Sequence, residues 1–168
     1  EVLEENERRR RRGRLPKILP NQVLNFAVIA VNSGDGSIAW QKIVRQSAPH
    51  EGTHGDGTWA SNSPITDGEH LFAHFGSNGL FCLNLAGDVI WEKDLGDMRT
   101  RNGFGEGSSP ALYGNYLVIN WDHEDDSFIV VLDKRSGAEI WRSERDEVTS
   151  WSTPLIVNVD GRMQAVVS

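Results

Sequence analysis

The chain has 168 residues, 38% of them hydrophobic, with 17 glycines, which is apolar material enough for one ordinary core and too much for a disordered chain. Its net charge of −7 is uneven: the first 14 residues hold six arginines against four glutamates, and the remainder holds 11 basic against 20 acidic groups, so the body lacks the basic surface that nucleic-acid binding requires. The longest apolar run, LNFAVIAV, stops at eight residues, short of a membrane span, and a lone cysteine, Cys82, excludes an internal disulfide and a CxxC metal pair.

Residues 1–23 form a charged arm. Glu4/Arg8, Glu5/Arg9 and Glu7/Arg11 are i,i+4 pairs in the helix-supporting order, which predicts a short solvated helix or a disordered arm. Pro16 and Pro20 interrupt any secretory pattern that would follow. Over 24–44 two extended runs, LNFAVIAV and IAWQKIV, flank the turn NSGDG and read as the end of one structural unit. Residues 49–61, PHEGTHGDGTWAS, contain His50, Glu51 and His54 in the H-E-x-x-H order of zinc peptidases. That chemistry needs a helix to put both imidazoles on one face, whereas Pro49, Gly52, Gly55 and Gly57 favour a loop. The chain is therefore not read as a zinc peptidase.

From residue 61 to 95 four short runs, SPIT, HLFAHF, LFCLNL and VIWEKDL, are broken at DG, GSNG and AGD, the pattern of a four-stranded antiparallel meander. Cys82 falls in its third run as a small buried apolar residue. His70 and His74 share a strand, where four residues span ~13 Å, and cannot chelate together. A second meander covers 108–144, and the first half of another covers 151–168. YLVIN and FIVVLD are continuously apolar instead of alternating, so both faces of these strands are expected to be covered.

The units repeat. AVNSGDGSIAW, CLNLAGDVIW and VLDKRSGAEIW end at Trp40, Trp91 and Trp141, which are 51 and 50 residues apart. Four residues before each lies a glycine, Gly36, Gly87 or Gly137, and before that an Asn or Asp closes an apolar run (Asn32, Asn84, Asp133). Pro64, Pro110 and Pro154 follow in phase, 46 and 44 apart. Four strands at a period near fifty describe the blade of a β-propeller, each sheet covered by its neighbours. The tryptophans are assigned to packing on the adjoining blade, and the glycines to the turn between third and fourth strands.

This order of small residue, Asn or Asp, turn, Gly and Trp resembles the pyrroloquinoline quinone (PQQ)-like repeat over residues 24–168. The resemblance implies an all-β fold of four-stranded antiparallel blades, here about three of them in an incomplete ring. Since propellers close with four to eight blades, the segment is expected to be a fragment of a longer chain whose remaining blades are its first partners. The family includes quinoprotein alcohol dehydrogenases, an outer-membrane assembly lipoprotein and exported propellers, so a periplasmic or cell-surface location is implied. For its enzymes the resemblance implies PQQ near the ring axis with calcium, an adjacent-cysteine disulfide, a tryptophan floor and an acidic base. With one cysteine this chain departs from that pattern, and no cofactor ligand maps onto it.

Antiparallel meanders send alternate connections to opposite ends, and here one end receives every long connection: RQSAPHEGTHGDGTWA, GDMRTRNGFGEG, WDHEDDS and RDEVTSW. His50, His54, Trp59, Arg99, Arg101, Trp121, His123 and Trp151 are the candidate binding face, with Asp56, Asn102 and Glu106 among them. Asp122, Glu124, Asp125 and Asp126 are the hard oxygen ligands available to calcium, without a recognised loop spacing. His50, His54 and His123 are a second metal grouping whose distances nothing fixes. Arg99, Arg101 and Glu106 read as loop-ordering charges. The leading function is a rigid binding scaffold for a protein, peptide or carbohydrate, and the alternative is part of a quinoprotein oxidoreductase.

Overall fold

The structure is a computed structural model and describes residues 2–11, 17–18 and 20–168. Helix α1 spans Val2–Arg11. The side chains of Glu4 and Glu5, and with them the expected pairs to Arg8 and Arg9, lie outside the described residues. Strand β1 (Lys17–Ile18) is followed by the hairpin of β2 (Leu24–Val31) and β3 (Ile38–Ser47). β4 (Thr53–His54) pairs antiparallel with β1, so the end of the arm lies against the HEGTH stretch, which is extended where it is regular at all.

A four-stranded antiparallel sheet then runs in chain order: β5 (Ile65–Thr66), β6 (His70–His74), β7 (Leu80–Asn84) and β8 (Val89–Lys93). A second comprises β9 (Ala111–Tyr113), β10 (Tyr116–Trp121), β11 (Ser127–Asp133) and β12 (Glu139–Arg145). A hairpin of β13 (Leu155–Val159) and β14 (Arg162–Val166) ends the series. These are propeller sheets in an incomplete ring.

The recurring residues explain the recurring turns. Gly36, Gly87 and Gly137 have φ of +73°, +91° and +70°, a left-handed backbone that glycine adopts without strain. Asn84 and Asp133 fold back on their own turns: Asn84 Oδ1 accepts from the amides of Ala86 and Asp88, and Asp133 Oδ1 from those of Arg135 and Ser136. In all three units a register shift sits just before the turn, at Ala30/Val31, Cys82/Leu83 and Val131/Leu132. Such a bulge turns the following side chains relative to the sheet.

Both faces of the middle strands are buried because the sheets stack. Phe81 and Leu83 of β7 pack with Phe26 and Val28 of β2, whereas Leu80 and Cys82 face Leu117, Ile119, Val130 and Leu132 of the next sheet. A third cluster joins Ala111, Val118, Ile129 and Val131 to Ile156. Each fully buried aliphatic or aromatic side chain contributes about 1.5–3 kcal/mol, so the junctions, and not the sheets singly, hold the core. Burial also pushes the Cys82 thiol up to about 11, with the Asp67 charge adding to it, so it stays a protonated packing group.

At the short-turn end of the stack Trp40 Nε1 donates to the Leu85 carbonyl at 3.0 Å, and its ring lies where a Cβ on Gly87 would stand, 2.9 Å away. Trp91 repeats this one sheet on: Nε1 donates to the Lys134 carbonyl at 3.0 Å, with the ring 2.8 Å from a Cβ built on Gly137. Lys134 also pairs with Asp67 of the preceding sheet at 2.6 Å. Burial opposes the charge on Asp67, but Lys134 and the amides of His70 and Glu69 outweigh it and hold the carboxyl well below its usual range.

Candidate functional site

The opposite end of the stack carries the long connections, and their side chains lace neighbouring sheets together. Glu51 Oε2 accepts from both the amide and the hydroxyl of Thr100 at 2.9 Å. Glu106 reaches back to the turn between β6 and β7, accepting from Ser77 N at 2.6 Å and Ser77 Oγ at 2.5 Å. Burial raises the Glu106 carboxyl above its usual range, against the lowering effect of the Ser77 bonds. Gly76, with φ +56°, allows that approach, since a Cβ there would meet the Glu106 carboxylate head-on.

Farther along, Arg99 forks onto Asp125, with Nε to Oδ2 at 3.0 Å and Nη2 to Oδ1 at 2.6 Å, and also donates to the Glu124 carbonyl. Glu124 accepts from the amide and hydroxyl of Thr149. That hydroxyl accepts in turn from the Arg101 amide, while the Arg101 side chain stays exposed. Arg99 and Arg101 therefore sit in loop-ordering networks, the first through its guanidinium and the second through its backbone.

The candidate binding residues do not form one surface. Trp121 is 1% exposed and stacks on Phe128 at 5.8 Å, so it belongs to the core between two sheets and not to the binding face; continuing the inward alternation of Leu117 and Ile119 puts it there. His123 is likewise buried, taking the Arg99 amide on Nδ1 at 3.1 Å and leaving Nε2 to donate to the Asp126 carbonyl at 3.2 Å. Trp59 is half-buried and donates to the Glu51 carbonyl at 2.8 Å. Trp151, 45% exposed, donates to the Gly105 carbonyl at 2.8 Å and packs along Gly107. His50 bonds the Met98 carbonyl at 2.7 Å, and His54 stands edge-on to Phe104 at 5.2 Å.

Neither metal grouping assembles. Asp122, with its side chain fully buried, is engaged by Arg145 at 2.8 and 3.2 Å, while Glu124 and Asp125 are directed to Thr149 and Arg99 as described. The three histidines each bond a different neighbour. Among the described residues no three His, Cys, Asp or Glu side chains gather as metal ligands would. Among the described residues the pattern implied for a bound quinone with calcium is not met: Trp121 is buried in the core, Trp40 and Trp91 donate to carbonyls of the next sheet's turns, and the single cysteine, Cys82, is buried in β7.

A polar cleft of about 250 Å³ remains open where β3 meets the turn between β6 and β7, lined by Arg45, Ser47, His50, Asn78, Asp94 and Asp97. Arg45 lies over the Phe81 ring at 5.8 Å, and its buried Nε has no hydrogen-bond partner. Sequence reasoning did not single out Arg45, because nothing local marks an arginine as lacking a carboxylate.

A relay closer to the first strands was also missed. Ser63 N donates to Ser109 Oγ at 2.8 Å, and Ser109 N to Thr153 Oγ1 at 3.2 Å, so each residue before a recurring proline gives its amide to the hydroxyl of its counterpart in the next unit. The signal was the hydroxyl residue preceding Pro64, Pro110 and Pro154. Beside it His74 and Asn120, equivalent positions of β6 and β10, are 3% and 0% exposed. Burial lowers His74 from 6.5 to about 4, despite the Ser108 carbonyl nearby.

A family model described as outer membrane protein assembly factor BamB matches residues 21–120. No curated protein sequence matches. Among solved structures, BamB from Moraxella catarrhalis is similar with 16% identity and a TM-score of 0.53, over 85% of this chain and 42% of that one. A europium-containing methanol dehydrogenase (12% identity, TM-score 0.49, 73% of this chain and 22% of that) and the quinohemoprotein alcohol dehydrogenase of Comamonas testosteroni (13%, 0.47, 70% and 18%) also align. The chain thus spans less than half the length of these structures, and at such identities the likeness is one of fold alone.

Proposed function

This chain belongs to the PQQ-like propeller family whose model is described as outer membrane protein assembly factor BamB, and on that premise we propose that it is a non-catalytic scaffold presenting its loop-rich end to a protein partner in outer membrane protein assembly. The observation that carries the reading is how the acidic and basic groups of that end are used: Glu51, Glu106, Glu124, Asp122, Asp125, Arg99 and Arg145 are bound to neighbouring loops or strands. A surface fixed in this way is preorganised for recognition, since little freedom is lost on binding. The cleft at Arg45 is the seat we assign to an acidic side chain of the partner, with His50 on its wall, and Arg101 and Trp151, exposed at the junctions farther along the same end, are assigned as separate contacts. Trp40, Trp91 and Trp141 with Gly36, Gly87 and Gly137 are assigned as the docking pairs that align the blades, and further blades of a longer parent chain are assigned to the free sheet edges. A periplasmic location follows from the same reading.

The test is genetic. Deleting the parent gene should lower the heat-modifiable, folded fraction of outer membrane barrels on gels, and a copy carrying Arg45→Glu with Arg101→Glu should fail to restore it at normal protein levels. An unchanged barrel fraction after deletion would sink the assembly reading. Titrating the parent protein with PQQ and calcium separates it from the oxidoreductase alternative: uptake with dye-linked alcohol oxidation would replace the scaffold by an enzyme.

A further inference from the structure

We propose that the cleft between β3 and the turn joining β6 to β7 is a seat for a dipolar ligand: a carboxylate held on Arg45 with an ammonium beside it against Asp94 and Asp97, as a partner offers where an acidic residue adjoins a lysine. The assignment rests on the scaffold reading, in which the cleft receives an acidic side chain, and adds the cation that the rest of the cleft requires. Its walls come from β3, the β6–β7 turn and the connections that follow β3 and β8, so the site needs no blade beyond the free edges of β2 and β14.

Three charges line the cleft and stay apart. Arg45 rests on the Phe81 ring, its buried Nε has no hydrogen-bond partner, and among the described residues its guanidinium forms no ion pair with Asp94 or Asp97 across the opening. A buried N–H without an acceptor is costly, and a guanidinium meets a carboxylate best through two parallel N–H donors. Asp94 is exposed and turns Oδ1 to the Gly96 amide at 2.8 Å, leaving Oδ2 unengaged. Asp97, its side chain 70% exposed, lies with Oδ1 3.7 Å from His50 Nδ1. Since a carbonyl only accepts, His50 donates its Nε2 hydrogen to Met98 at 2.7 Å, and in the neutral ring Nδ1 then faces Asp97 as a second acceptor. An acid alone would set its charge beside two like charges, and a base alone would leave Arg45 without an acceptor. An ammonium, with three donors and no acceptor, suits the group of Asp94, Asp97 and His50 Nδ1. The walls between these charges are fixed in advance: Ser47 Oγ donates to Asn78 Oδ1 at 2.9 Å, and Ser77 Oγ accepts from the Met98 amide at 2.8 Å while donating to Glu106. Little freedom is therefore lost when a ligand enters. At about 250 Å³ the open cleft is smaller than the ~300–1,000 Å³ pockets that enclose whole small molecules, which suits side chains presented from outside.

The probes are blocked dipeptides with the side-chain pairs Glu-Lys, Glu-Ala and Ala-Lys, acetylated and amidated so that only side chains carry charge. They are titrated into the chain while the Arg45 Nε–H resonance is followed by NMR. Glu-Lys should shift that resonance and bind about fivefold more tightly than either singly charged dipeptide. Arg45→Lys keeps the charge but loses the fork, and should weaken Glu-Lys about tenfold. Asp94→Asn with Asp97→Asn should bind Glu-Ala as tightly as Glu-Lys, and more tightly than the unmodified chain does, a gain that a damaged fold would not give. Free glutamine, whose charges are on its backbone alone, distinguishes a small-molecule ligand from a partner's side chains and should not compete. Equal affinity of the unmodified chain for Glu-Lys and Glu-Ala, an Arg45 Nε–H resonance that no dipeptide moves, or glutamine binding as tightly as Glu-Lys would overturn the proposal. Each of these leaves the gene-deletion test of barrel assembly untouched, and an unchanged barrel fraction leaves the dipeptide preference untouched, so the two can fail separately.

Discussion

His74 shows how a stacked sheet converts burial into pH sensitivity. The unfolded chain takes up a proton on this imidazole near 6.5, and the fold resists until about 4. Between those values the unfolded state binds more protons, so stability is full above the window and falls as the pH drops through it, by about 3 kcal/mol at most. Thermal melts between pH 7 and 4.5 should show this acid limb, and His74→Leu should flatten it. Glycine is tested as directly. Gly137→Ala sets a methyl 2.8 Å from the Trp91 ring at φ +70°, whereas Gly114→Ala, at φ +56°, meets open space. Both substitutions strain the backbone, but only the first also displaces an indole. It should cost about 2 kcal/mol more in urea unfolding. Gly87 and Gly137 are legible from spacing because a tight turn under a flat ring admits little else. His74 was not legible as a buried residue, because nothing in HLFAHF says which histidine meets the next sheet.

Strand ends and the connections leaving them were read less well than strand middles. Trp121 stands at the junction of an apolar run and an acidic one, where the sequence alone puts it with the loop. Its own strand places it inside, as the third inward position after Leu117 and Ile119. The carboxylates that follow suggest calcium because they are adjacent in sequence; in space Asp122 turns to Arg145 on β12 and Asp125 to Arg99 in the connection between β8 and β9. The first partner stands two strands away in the same sheet and the second in the connection before it, and a local pattern reveals neither. Removing Arg145 as Arg145→Met should strand a carboxylate that is fully buried and cost about 3 kcal/mol. Asp122→Asn combined with it should recover part of that loss in the same denaturation series, since the uncompensated charge is then gone.

Across the molecule, the period of tryptophan, glycine and Asn or Asp discloses the sheet order, because Trp40 and Trp91 reach the turns of the next sheets at Gly87 and Gly137, which Asn84 and Asp133 close. Repeat proteins gain their stability as a sum of such nearest-neighbour contacts. Asp67 and Lys134 are a junction of this kind, both 14% exposed and 2.6 Å apart. Lys134→Met should therefore do more than lower the melting temperature: by about 2 kcal/mol of weakened coupling, the two four-stranded sheets should begin to unfold at separate denaturant midpoints when followed by Trp91 fluorescence and by hydrogen exchange of β11. The relay from Ser63 to Ser109 to Thr153 runs in one direction, each unit giving an amide forward and offering a hydroxyl back. A gene that duplicates or deletes one whole unit therefore inherits both halves of every such bond, and the array can change length without any junction having to evolve anew.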